Sequence, residues 1–182
     1  MSRLPDRQHA VKLSDAGSGA AAPASEARSP AGDAFSGLVI RVFRLAGLLG
    51  AEGDALARPA GQTTARWQVL AAVDDAPRSV AEIARVLGLA RQSVQRVADA
   101  LEEGGFVRYE DNPRHRRARL VVATPAGTEA LRRIEREQRP WADAIGAAVG
   151  QRDLDRLRTL LDRLTAAVEA QAASRVTDED RA

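Results

Sequence analysis

From Phe35 onward, apolar residues return at helical spacing. Phe35, Leu38, Val42, Leu45 and Leu49 follow one another at steps of 3, 4, 3 and 4, behind the capping residue type Asp33, and form one stripe of a predicted helix. Gly47, Gly50 and Gly53 fall within or just past that stripe. Each costs roughly 1 kcal/mol against Ala in a helix interior, so they mark either a weakened or bent helix end or the close approach of another helix. Thr64 is the predicted cap of a second helix through Trp67, Val69, Leu70 and Val73, and Pro77 stops the connection after it. Ser79-Val80-Ala81-Glu82 fits a capping box, in which the serine accepts from the backbone ahead and the glutamate reaches back. A short helix with Ile83, Val86 and Leu87 therefore starts at Ser79. Gly88 closes it as a left-handed turn residue, and a new helix follows at once with Val94, Val97, Ala98 and Leu101 on one face. Two helices joined by so tight a turn are a helix-turn-helix.

After Gly104-Gly105 the period changes. Residues 106–110 and 119–123 have strand composition, and the segment between them, DNPRHRRA, makes a hairpin with a basic tip. Thr124-Pro125 opens another helix, with Thr as cap and Pro in the first turn; Leu131, Ile134, Trp141 and Ile145 mark its buried side and Pro140 is expected to kink it. The last helix, from about Gln151, sets Leu154, Leu157, Leu161, Leu164 and Val168 at steps of 3, 4, 3 and 4. The two long stripes exceed what one small lobe can cover, which predicts dimerisation through Phe35, Leu38, Val42 and Leu45 together with Leu154, Leu157, Leu161, Leu164 and Val168. Nineteen of the first 33 residues are Ala, Ser, Gly or Pro, a composition expected to be disordered, and residues 174–182 are expected to fray. The folded body is then residues 34–173, with a DNA-binding lobe at about 60–124 and dimerisation helices at about 34–57 and 125–173. The expected class is mainly α with a small β-hairpin wing.

Composition removes several kinds of chemistry. The 182 residues contain no cysteine, which excludes thiol nucleophiles, disulfides and cysteine-ligated zinc; His9 and His115 are the only histidines, so no metal site or cofactor is expected. Histidine-based triads have no members to draw on, and the acidic pairs Asp74-Asp75 and Glu102-Glu103 are adjacent residues that point apart, so no catalytic residue is proposed. Six aromatic residues are too few for the stacking platforms of single-strand binders. The net charge is only +2, and 26 of the 27 basic residues are arginine. Where the arginines sit therefore matters more than their sum. No uninterrupted apolar run approaches the ~20 residues that span a bilayer, and no secretory signal is evident, so a soluble, cytoplasmic chain with no membrane partner is expected.

The arginines and amides fall where duplex DNA would lie. On a wheel with Val94 at zero, Gln95, Gln92 and Arg96 project at roughly 100°, 160° and 200°, away from the buried face. Glutamine can pair with adenine N6 and N7, and arginine with guanine O6 and N7. Arg91 and Ser93, at the start of that helix, suit phosphate or base contacts. Arg114, Arg116, Arg117 and Arg119 crowd the hairpin tip, where mutual repulsion is relieved by an anion, and such a tip is thin enough for a minor groove.

The run RQSVQRVADALEEGGFV followed by DNPRHRRARLVVATPAG resembles the MarR family of winged-helix transcriptional regulators. The resemblance covers roughly residues 35–170. It implies a homodimer whose first and last helices interlock, an inverted-repeat operator in double-stranded DNA, and repression relieved by a small organic effector. Arg117 would be the wing arginine of the minor groove, with Arg114 and Arg116 on neighbouring phosphates. The chain departs from the family's pattern at Ala90, where a serine cap is common, and at His115, where an acid commonly braces the wing arginine. Effector-contacting residues carry no motif; Trp67 and Trp141 are candidates for the core or for the lining of a pocket. A competing reading is a winged helix used for protein interaction or DNA architecture without sequence readout. Glutamines on the outward face weigh against it, because a nonspecific binder gains little from amides.

Overall fold

The structure, a computed structural model, describes residues 28–113, 115 and 117–179. The elements are α1 (Pro30–Ala57), a 3₁₀ turn (Arg58–Ala60), α2 (Thr64–Ala71), β1 (Arg78–Ser79), α3 (Val80–Leu87), α4 (Arg91–Glu103), β2 (Val107–Glu110), β3 (Leu120–Ala123), α5 (Pro125–Val149) and α6 (Gln151–Glu179). The chain divides into two compact units, residues 1–45 and 46–182. The described part of the first is the amino-terminal stretch of α1. Phe35, Leu38, Val42 and Leu45 are exposed along it, and so are Ile40 and Phe43.

Helix α1 begins earlier than Asp33 predicts. Ser29 Oγ accepts from the Gly32 backbone N–H at 3.1 Å, Pro30 takes the first turn where its missing N–H goes unneeded, and Asp33 sits inside that turn. Within Pro30–Ala60 the most apolar 18-residue stretch reaches a mean hydropathy of 1.6, and the segment is long and apolar enough to cross a membrane by length and composition. The uninterrupted run looked for in the sequence is broken by Arg41 and Arg44, while Ala and Gly lift the average. At the other end, α6 runs on through Glu179, across residues assigned to a frayed tail; Ala170, Ala172 and Ala173 are strong helix formers and carry it past the end of the leucine stripe.

In the second unit, a three-stranded antiparallel sheet in the order β1-β3-β2 backs the helix-turn-helix. The hairpin expected from sequence is present, with Tyr109 opposite Val121, and β1 adds a third strand by pairing Arg78 with Val121 and Ser79 with Leu120. The core joins Leu70 of α2, Ile83 of α3, Val94 and Leu101 of α4, Val107 and Val121 of the sheet, and Leu131 of α5. Ser79 and Glu82 make the capping box, and Gly88 takes a φ of 64° at the end of α3. Thr124 caps α5 by accepting from Gly127 N–H at 3.2 Å, with Pro125 in the first turn. Helix α5 then carries Pro140 in its interior and continues to Val149. Ile145, expected on its buried side, is exposed, as are Leu157, Leu161 and Val168 of α6. Helical spacing shows that a residue lies on an apolar stripe but not that the same chain covers it.

The start of α2 also differs from the sequence reading. Thr63 is the cap, its hydroxyl accepting from Arg66 N–H, whereas Thr64 ties α2 to α1. Thr64 N–H donates to Asp54 Oδ1 at 2.7 Å and Thr64 Oγ1 donates to the Gly50 carbonyl at 2.9 Å. The bond from the Thr64 backbone holds the Asp54 carboxyl below its ordinary pKa. This contact separates the glycines of α1 by role. A Cβ on Gly53 would lie 2.6 Å from Thr64 Oγ1, so close helix approach requires glycine there, while a Cβ on Gly47 or Gly50 would meet nothing within 4 Å.

Candidate nucleic-acid interface

The turn at Gly88 aims α4 outward from the core. Val94, Ala98 and Leu101 are buried, and Arg91, Gln92, Gln95 and Arg96 are exposed on the other side. Ala90 stands at the cap position and makes no side-chain cap bond, which leaves the first backbone N–H groups of α4 to be satisfied from outside the helix. Ser93 is half-buried, and its Oγ lies 3.5 Å from Arg96 Nη2.

A polar groove of about 280 Å³ runs between α4 and the wing. It is lined by Ser79 and Val80, by Arg91, Gln95, Asp99 and Glu102 of α4, by Tyr109 of β2, and by Arg117 and Arg119 of the wing. The fold thus brings two of the proposed major-groove residues and two of the proposed wing residues to one place. Arg114 and Arg116 lie outside the described residues. The wing turn is held by His115 N–H donating to the Asn112 carbonyl and by Ala118 N–H donating to the His115 carbonyl. With His115 where the family often has an acid, the carboxylates that share a groove with Arg117 belong to α4, at Asp99 and Glu102.

Sequence spacing missed the connection across this groove. Gln95 Nε2 donates to Asp99 Oδ1 at 2.7 Å and to Tyr109 Oη at 2.8 Å, and the Tyr109 hydroxyl donates to Asp99 Oδ1 at 2.8 Å. The Arg119 guanidinium lies 4.9 Å from the centre of the Tyr109 ring and donates to the Tyr109 carbonyl at 2.9 Å. Arg119, read from sequence as a DNA contact, therefore has an intramolecular partner. The Tyr109 phenol is pushed well above its ordinary pKa, first by burial and then by its bond to Asp99. It remains a protonated donor throughout the physiological range. The available signals in the sequence were the i, i+4 spacing of Gln95 and Asp99 and a tyrosine two residues after the buried Val107, on the same side of β2.

A second cavity, of about 680 Å³, is walled by α1, α2, α3 and α5. Leu49, Gly50, Gly53 and Leu56 of α1, Trp67 and Ala71 of α2, Val86 and Leu87 of α3, and Trp141 of α5 line it, with Thr64 and Gln68 as its polar residues. Both tryptophans are thus pocket residues, and Trp67 also packs against the core. Gly50, whose missing side chain would have met open space, leaves room in the wall.

Known proteins share the family and the fold. The MarR family model matches residues 60–118, the stretch from the 3₁₀ turn through the wing. An uncharacterised protein of Mycobacterium tuberculosis is 40% identical over 138 residues, which are 74% of this chain and 96% of the relative. The transcriptional activatory protein BadR of Rhodopseudomonas palustris is 32% identical over 94 residues, 50% of this chain and 54% of that one. Among solved structures, the M. tuberculosis transcriptional regulator MosR in complex with DNA is 26% identical, with a TM-score of 0.64 over 72% of this chain and 96% of that chain. The chain belongs to the MarR family of winged-helix transcription regulators, and it is a regulator rather than an enzyme.

Proposed function

We propose that the chain acts in the cytoplasm as a homodimeric, sequence-specific regulator of double-stranded DNA, a repressor released by a small organic effector. The observation that carries the DNA reading is the joint exposure of Arg91, Gln92 and Arg96 on α4 beside a groove that also holds Arg117 of the wing. Gln92 and Arg96 would read base edges in the major groove, Arg91 and Ser93 would hold phosphates at the helix start, and Arg117 would enter the minor groove, with Arg114 and Arg116 on adjacent phosphates. MosR, which shares this fold, has been solved with DNA. The exposed stripes Phe35 to Leu45 and Leu157 to Val168 support a second copy as their cover, and a two-fold pair presents its recognition helices to half-sites about 10 bp apart.

Selection of binding sites from a random duplex library tests this reading. An inverted repeat should be enriched. Gln92→Ala should lose preference within the half-site core, at a cost of about 1–3 kcal/mol per base pair it reads. Arg117→Ala should blur only the outer A·T positions. Salt-dependent binding with no enriched sequence would count against sequence readout and for an architectural role.

The apolar cavity supports the effector half of the proposal. At about 680 Å³ it is the size of a drug-like ligand site, and none of its described lining residues is charged, which suits an uncharged, largely apolar molecule. The chain's two tryptophans both line it, so occupancy can be read directly. A neutral naphthalene-type probe should change tryptophan emission saturably and weaken operator binding. Gly50→Leu, which projects a side chain into open space, should abolish both responses. Equal responses in that variant would remove the cavity from the proposal.

A further inference from the structure

Tyr109 stands where the wing leaves the sheet. It is the outer of the two β2 residues on the side of the buried Val107, and past its neighbour Glu110 the chain makes the tip before returning at Leu120. Its hydroxyl donates to Asp99 Oδ1 of α4 at 2.8 Å, an O–H to carboxylate bond of the stronger, charge-assisted kind. Gln95 Nε2, one turn earlier on α4, lies 2.7 Å from the same carboxylate oxygen and 2.8 Å from the hydroxyl. The returning arm of the hairpin holds the ring as well, since the Arg119 guanidinium lies 4.9 Å from its centre and donates to the Tyr109 carbonyl at 2.9 Å. One half-buried phenol thus ties α4 to both arms of the wing.

This tie bears on the placement of Arg117. Val107 and Val121 anchor the base of the hairpin in the core, but Arg117 lies out in the turn, exposed, where it shares a groove with Arg91 and Gln95 of α4. A two-stranded hairpin is only marginally stable by itself, and a small rotation at its stem becomes a larger displacement at its tip. Contact with a major groove and the adjacent minor groove at once requires α4 and Arg117 at a fixed separation. A wing already held at that separation gives up less freedom on binding.

We propose that Tyr109 and Asp99 are positioning residues that fasten the wing to α4, so that Arg117 is held at a set distance from Gln92 and Arg96 before DNA binds. This rests on the DNA reading above, in which Arg117 enters the minor groove. Neither residue has to touch DNA for this role. The bond between them acts through Arg117, and its loss should remove what the wing contributes while sparing what α4 reads.

A double-mutant cycle with the full chain, on a duplex carrying the inverted repeat recovered by site selection, tests the proposal. Tyr109→Phe keeps the ring beneath Arg119 and removes only the hydroxyl. In the unaltered protein Arg117→Ala should lower affinity about tenfold, and in the Tyr109→Phe background by no more than about twofold. Gln92→Ala should cost the same in both backgrounds. Asp99→Ala removes the acceptor from the α4 side and should shrink the Arg117 effect in the same way, with nothing further lost when it is combined with Tyr109→Phe. An Arg117→Ala effect of full size in both the Tyr109→Phe and the Asp99→Ala backgrounds overturns the proposal and leaves the DNA reading in place. So does a Gln92→Ala effect that shrinks along with that of Arg117, since the whole lobe and not the wing alone would then have loosened. Arg117→Ala without effect in the unaltered protein, or no enriched repeat, overturns both.

Discussion

The double variant Leu157→Glu, Leu161→Glu is expected to sediment as a monomer at micromolar concentration and to lose binding to a two-half-site operator by a factor of about 10³ or more. Both leucines lie on the α6 stripe, and within one chain they are 45% and 42% exposed. Covering the exposed half of a leucine side chain is worth about 1 kcal/mol, and placing an unpaired carboxylate in the same contact reverses that gain and adds a desolvation cost. In a two-fold pair each substitution counts twice, so the dimer should weaken by about 4 kcal/mol or more, equivalent to roughly a thousandfold. Binding to one half-site should survive, because α4 and the wing are built within a single chain. The loss at the full operator comes from the second half-site, which a dimer meets at high effective concentration and a monomer does not. Thr159→Glu, about 200° around the helix from Leu157, is the control and should leave the dimer intact. A double variant that still sediments as a dimer would assign the exposed stripe to another purpose.

The elements most legible in the sequence were those fixed by neighbouring residues. Ser79 and Glu82 find each other across one turn, Gly88 supplies a φ of 64° alone, and Thr124-Pro125 needs only the N–H of Gly127. Spacing also put Gln92 and Arg96 outside and Val94 and Leu101 inside. Features that depend on distant partners were not legible. Strand β1 is two residues long and exists because Arg78 and Ser79 meet β3 more than forty positions later. Thr64 has the composition of a cap, but Asp54 and the Gly50 carbonyl claim it, and the cap falls to Thr63. Gln95 fitted the outward face by angle, yet its amide is held by a tyrosine on another element. The exposed Ile145 and the tryptophans of the apolar cavity show the same limit: a wheel gives the face of a residue, and tertiary structure decides what that face meets.

One glycine in the α5 entry shows how a local signal and a distant contact can coincide. Gly127→Ala is expected to destabilise the fold by about 3 kcal/mol or more, which lowers the melting temperature by roughly 6–12 °C in a chain of this size. A Cβ at this position would stand 2.1 Å from the carbonyl oxygen of Phe106 and 3.2 Å from Leu70 Cδ2. The carbonyl cannot move aside at little cost, because it already accepts from Thr124 N–H at 3.0 Å. The Thr124 hydroxyl also donates to the Gly105 carbonyl at 2.7 Å, so the exit of α4 and the entry of α5 are bonded to each other. A methyl group must push them apart, which strains the α5 cap and loosens the packing of Leu131 on the core. The same shift reaches function, since Phe106 leads into β2 and Thr124 follows β3, the two strands that carry the wing. Ala126→Gly, on the exposed side of the same turn, should cost no more than about 1 kcal/mol. Melts of both variants at equal protein concentration, which holds the concentration dependence of any dimer the same between them, would decide the matter. A Gly127→Ala chain melting within about 2 °C of the unaltered protein would mean that α5 can lift from Phe106 without loss, and that α5 and the wing are less firmly joined than this contact requires.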